Sequence, residues 1–192
     1  MKIKAIMSFA MILALTACSG GGAGKGEKKE KGDFESVAAQ RVRVAESGFT
    51  KASMKMKHYQ KVGGQKANYN YSVTYQLSSS LEWQVVESDI SSAQSGYEGF
   101  INFTMDKAEQ FLTALKRMAE NAAPTYYVAE TASTLEVSGT ADTANMKGKV
   151  SATANWNEYG MLTKWHEKDD FSEYQGYKNV IIEETLTYTY SK

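Results

Sequence analysis

Tyr69-Asn70-Tyr71-Ser72-Val73-Thr74-Tyr75-Gln76-Leu77 alternates without a break, with large apolar or aromatic side chains at odd positions and polar ones at even positions. Successive side chains of an extended backbone point to opposite faces, so this stretch predicts a strand with one buried side and one wet side. Val180, Ile182, Leu186, Tyr188 and Tyr190 repeat the pattern near the end of the chain, with Glu184 as the exception. The two segments predict a sheet-rich fold, and the 12 Tyr and single Pro of the composition agree with it.

Working outward, residues 50–62, 81–88, 99–105, 125–137, 146–156 and 161–169 read as further strands. Gly63-Gly64, followed by Gln65-Lys66, supplies a turn because glycine accepts positive φ at little cost. Asn157-Glu158-Tyr159-Gly160 supplies another, and residues 139–148 (GTADTANMKG) read as a polar hairpin loop. Strands joined this tightly pair antiparallel.

One helix is expected at 106–120. Asp106 and Glu109 fit a capping box, while Ala108, Phe111, Leu112 and Leu115 recur at helical spacing and Pro124 forbids continuation. Residues 33–46 suit a short helix that hands over to a strand at Val42 and Val44. The whole reads as α+β: a curved, mostly antiparallel sheet with one main amphipathic helix over part of its apolar face. Strands this long accumulate twist and predict curling, with a half-barrel as the limiting form. Such an architecture resembles the open half-barrels of periplasmic and surface lipoproteins that carry lipid or lipoprotein.

The start of the chain has a different character. Lys2 and Lys4 precede an apolar run at 5–15 and the small residues Thr16 and Ala17, the three-part layout of a secretory signal. Leu15-Thr16-Ala17-Cys18 resembles the lipobox of bacterial lipoproteins, in which a dedicated peptidase cuts before a cysteine whose sulfur has been diacylated. The resemblance covers only the leader and the cysteine. It implies that Cys18, the single cysteine, carries the lipid that anchors the mature chain to a membrane outside the cytoplasm. Ser19 rather than Asp implies the outer membrane if the organism is Gram-negative.

With one cysteine neither an internal disulfide nor a cysteine metal cluster can form. Residues 18–32 then read as the lipidated cysteine and a tether rich in Gly, Lys and Glu, too poor in apolar side chains to order itself. A lysine patch on anionic head groups is the alternative for this segment. The organisation expected is a signal peptide at 1–17, the anchor and tether at 18–32, and one globular domain at 33–192. Loss of Lys2 and Lys4 with the leader leaves 20 basic against 22 acidic side chains, a balance with no nucleic-acid footprint.

Chemistry-bearing motifs are sparse. The two histidines, His58 and His166, stand apart from any metal-ligand spacing, so no metal and no cofactor is expected. No Gly-x-Ser-x-Gly elbow and no phosphate-cradling glycine loop occurs. Glu167, Asp169, Asp170 and Glu173 read as a solvated acidic loop between strands, a weak cation site being the alternative. Asn70-Tyr-Ser72 and Asn102-Phe-Thr104 match the glycosylation triplet, which an exported bacterial chain has ordinarily no use for.

The apolar inventory remains. Tyr69, Tyr71, Tyr75, Trp83, Trp156, Trp165 and Tyr188 place many large rings on strands, together with Met54, Met56, Met105, Met146 and Met161. These fill a core, or, if one helix is too small to cover the sheet, they line an apolar groove for a lipid-like ligand. The function expected is a non-enzymatic, membrane-anchored lipoprotein that binds a hydrophobic small molecule. The alternative is a structural or adhesive envelope lipoprotein that engages a protein partner.

Overall fold

Eight strands carry the alternation into structure: β1 (Lys51–Val62), β2 (Gln65–Leu77), β3 (Trp83–Ser88), β4 (Ala123–Ala129), β5 (Ala132–Thr143), β6 (Met146–Asn157), β7 (Leu162–Tyr174) and β8 (Tyr177–Ser191). Helix α1 (Val37–Ser47) precedes them, and a 3-10 helix (Ser95–Asn102) follows β3. This computed structural model describes residues 37–92, 95–102, 123–129 and 132–192. The leader, Cys18, the 18–32 segment and the helix expected at 106–120 lie outside the described residues.

The strands form one open sheet in the order β3-β2-β1-β8-β7-β6-β5-β4, and every pairing is antiparallel. Two meanders, β1 to β3 and β4 to β8, are joined by pairing the first strand with the last. The β1–β2 hairpin turns on Gly63 and Gly64, whose φ values of 54° and 90° are those of the tight turn that matches strand twist. Asn157 builds the β6–β7 turn by accepting from the Tyr159 and Met161 amides, each at 3.0 Å.

Several sequence expectations are corrected. Residues 99–102 belong to the 3-10 helix rather than to a strand; there Tyr97, Phe100 and Ile101 are buried, a helical rather than a two-residue spacing. Residues 125–137 are not one strand but the end of β4 and the start of β5, reversing between Ala129 and Ala132. The polar 139–148 stretch is mostly strand, because β5 runs to Thr143 and β6 starts at Met146. Val42 and Val44 stay within α1 rather than opening a strand.

The core lies on one face of the sheet. In register, Tyr71, Met56, Leu186, Trp165, Ala154 and Leu135 make a row across six strands. Trp165 and Leu186 are fully buried, and burial of a side chain of this kind stabilises by about 1.5–3 kcal/mol. The 3-10 helix covers this row, with Phe100 edge-on to Trp165 at 5.3 Å. Helix α1 covers the neighbouring end of the same face: Val44 is buried, Arg43 Nη1 donates to the Glu158 carbonyl at 2.9 Å, and Phe49, just beyond the helix, packs on Tyr159 and Tyr190.

Candidate functional site

The apolar face is interrupted by a polar band. The row beside the one just described runs Tyr69, His58, Glu184, Glu167, Ala152 and Val137, and the next brings Gln60, Ile182, Asp169 and Val150 into line. His58, Gln60, Glu167, Asp169 and Glu184 are all buried, each at most 3% exposed. Apolar rows flank them on both sides, with Met56 and Trp165 before and Val180 and Phe171 after.

Burial of ionisable groups is expensive unless they are paired. His58 Nδ1 lies 3.0 Å from Glu184 Oε1 and His58 Nε2 lies 3.3 Å from Gln60 Oε1. Acceptors on both nitrogens suit an imidazolium donating twice; in the neutral ring, a turned Gln60 amide donates to one nitrogen instead. The second carboxylate oxygen, Glu184 Oε2, is buried without a hydrogen-bond partner, and so is the Tyr188 hydroxyl. The two residues stand four positions apart on the same face of β8, about 13 Å at the rise of an extended chain.

Burial raises the phenol pKa values of Tyr75, Tyr188 and Tyr190 above the ordinary range. The Glu98 charge adds to the effect at Tyr75, and neighbouring phenols add to it at Tyr188 and Tyr190. Two of these hydroxyls have structural duties: Tyr75 donates to the Glu98 carbonyl at 3.0 Å and Tyr190 to the Leu162 carbonyl at 2.6 Å. Neutral phenols are what the buried face holds.

The seven ring residues expected to line a ligand site share this face. Tyr75, Trp83, Trp156, Trp165 and Tyr188 are buried within the core cluster, whereas Tyr69 and Tyr71 are half-buried. These two stack at 6.2 Å with planes 7° apart, and Tyr69 also sits 5.7 Å from the His58 ring. The partly open aromatic pair therefore borders the polar band.

Two expectations about polar residues are corrected. Glu167 and Asp169 are not in a solvated loop but on the buried face of β7, because Trp165 and Phe171 fix the same alternation around them. Asp170 stays exposed on the opposite face. His58 is not isolated from carboxylates, since β8 returns to place Glu184 beside it. His166 faces the other side, with Nδ1 2.9 Å from the Thr185 hydroxyl. Among the described residues no group of three or more His, Cys, Asp or Glu has geometry that could hold a metal ion. The available signal for this site was Glu184, the one charged residue at a core position of β8.

No family model matches this chain, and no curated protein is similar to it at a significant level. Among solved structures, LprF from Mycobacterium bovis is 12% identical, with 80% of this chain aligned to 92% of that one and a TM-score of 0.22. The ywiB protein from Bacillus subtilis is 10% identical, over 74% of this chain and 93% of its own, with a TM-score of 0.21. Similarity this slight bears on neither fold nor function.

Proposed function

We propose that this chain is a lipid-anchored envelope lipoprotein whose sheet domain binds, without catalysing a reaction, an amphipathic lipid-like molecule. The observation that carries the reading is a buried carboxylate oxygen, Glu184 Oε2, left without a hydrogen bond in the polar band that interrupts the apolar sheet face. Such an atom costs about 1–3 kcal/mol, and a ligand donor, a hydroxyl, amide or amine, offsets that cost. The Tyr188 hydroxyl offers a second polar contact on the same face, and the half-buried Tyr69 and Tyr71 rings offer aromatic surface for an apolar chain. Strands of 12 to 15 residues at β1, β2 and β5 to β8 favour the curvature of a half-barrel around such a ligand.

Lipid on Cys18 supplies the anchor, and its position after the leader supports export. No helix among the described residues is long and apolar enough to cross a membrane. Native mass spectrometry of the chain extracted from membranes tests both parts. The expected spectrum shows a diacylated amino-terminal peptide and a co-purifying lipid that Glu184→Gln, which turns an acceptor into a donor, loses. An unlipidated, ligand-free mass that takes up no fluorescent acyl probe would defeat the reading.

One observation favours a second reading, engagement of a protein partner. Val85 and Val86 are 45% and 63% exposed on the edge strand β3, where an added strand could pair. Envelope cross-linking from position 86 distinguishes it, by recovering a specific protein adduct.

A further inference from the structure

The face of the sheet turned away from the core carries a charge pattern of its own. On β1 it presents Lys51, Ser53, Lys55, Lys57, Tyr59 and Lys61, and on β2 Lys66, Asn68, Asn70, Ser72, Thr74 and Gln76. Five lysines and no carboxylate occupy these two strands. Lys51, Lys55, Lys57 and Lys66 are exposed, and no ion pair among the described residues involves any of the five. Lys61 stands directly opposite Lys66 in register, a like-charge pairing that destabilises a sheet. Carboxylates on this side stand on other strands: Glu183 on β8, opposite Tyr59 and 3.9 Å from His166, Asp170 on β7, Glu136 and Asp142 on β5, and Glu87 and Asp89 at the β3 edge, where Asp89 is bound to Ser72.

Such a row repels itself, and an anionic surface relieves it. We infer that the outer face of β1 and β2 lies against the anionic head groups of a lipid surface, with the ligand-binding face turned away from it. The inference rests on the lipid anchor proposed at Cys18. The 19 residue steps from Cys18 to Val37 span at most about 65 Å, so an anchored domain stays within reach of its membrane. Lysine side chains on a broad sheet meet many head groups at once, and an anchor at Cys18 would hold them beside a lipid surface, which favours lipid over nucleic acid.

The test uses the full chain, extracted with its anchor and reconstituted into vesicles of neutral phosphatidylcholine or of phosphatidylcholine with phosphatidylglycerol. Amine labelling and peptide mass spectrometry then read each lysine at low salt. Expected is slowed labelling of Lys51, Lys55 and Lys57 on anionic vesicles only, abolished by high salt. The variant K55Q/K57Q/K66Q, confined to exposed side chains, weakens the oriented state about a hundredfold from the contribution of three lysines at an anionic surface, so Lys51 labels equally on both vesicles. Equal labelling of the wild type on both vesicles, with the protein in the vesicle fraction, overturns the inference. Should the chain fail to stay with neutral vesicles, the anchor reading falls. Salt-sensitive adsorption to anionic vesicles then still supports the face, and its absence refutes it. Equal protection by soluble duplex DNA without vesicles refutes the lipid assignment.

Discussion

Replacing His58 with leucine leaves the Glu184 carboxylate buried with neither oxygen hydrogen-bonded, since His58 is its hydrogen-bond partner and both side chains are 1% exposed. Removing one member of a buried pair costs about 3–5 kcal/mol, which in a domain of this size lowers the melting temperature by roughly 6–20 °C. Glu184→Leu should cost less, about 1–3 kcal/mol, because a neutral imidazole remains and the juxtaposition of Glu184 with Glu167 across β7 and β8 is relieved. The double variant removes both polar groups and is expected within about 1 kcal/mol of the wild type, or above it. Thermal unfolding followed by circular dichroism, with lipid uptake measured on the same samples, checks the series. A double variant that retains stability but loses the ligand identifies the pair as kept for binding. Losses in the double that equal the sum of the singles would refute the coupling on which the site is built.

Other perturbations probe the frame. Gly148 lies at a bulge in β6, where an added Cβ would stand 2.2 Å from the Asp170 carbonyl oxygen and 2.5 Å from Phe171 Cα; Gly148→Ala should cost several kcal/mol in denaturant unfolding, roughly 3 or more. Trp165→Ala removes a fully buried ring from the row under Phe100 and should cost about 3–5 kcal/mol by the same measurement. Tyr75, Tyr188 and Tyr190 have folded-state phenol pKa values raised above the ordinary 10.0. The folded state therefore holds these protons more tightly than the unfolded one, and their contribution is fully present below pH 10.0 and lost as the pH rises through the folded values. Near-ultraviolet absorbance should accordingly show phenolate from these three only together with alkaline unfolding, and their ionisation within an intact fold would contradict the burial.

The alternation at 69–77 was enough to locate β2 and its buried side, because a strand's period is a local property of the chain. The same local logic recovered the turns at Gly63-Gly64 and Asn157–Gly160. It failed at 99–102, where Phe100 and Ile101 suggested a strand but Tyr97 completes a tighter spiral. The site was less legible for a physical reason: Glu184, His58 and Gln60 are brought together by pairing the first strand with the last, a contact across 126 residues between His58 and Glu184. Polarity misled at Glu167 and Asp169 as well. Four acidic residues close together read as solvent-facing, whereas alternation set by Trp165 and Phe171 sends two inward and leaves Asp170 outside.

One strand, β1, ties the two proposed surfaces to each other. Its even positions, Ala52, Met54, Met56, His58 and Gln60, build the core face and the polar band, while its odd positions carry four of the five lysines on the other face. Because the side-chain period is two, the register that buries His58 beside Glu184 is the same register that holds Lys55 and Lys57 in solvent. A one-residue insertion early in β1 would exchange the sets, driving lysines into the core and the histidine out. Neither surface can therefore change its register independently: a β1 register that keeps the buried pair keeps positions 51, 55, 57 and 61 on the opposite face of the sheet.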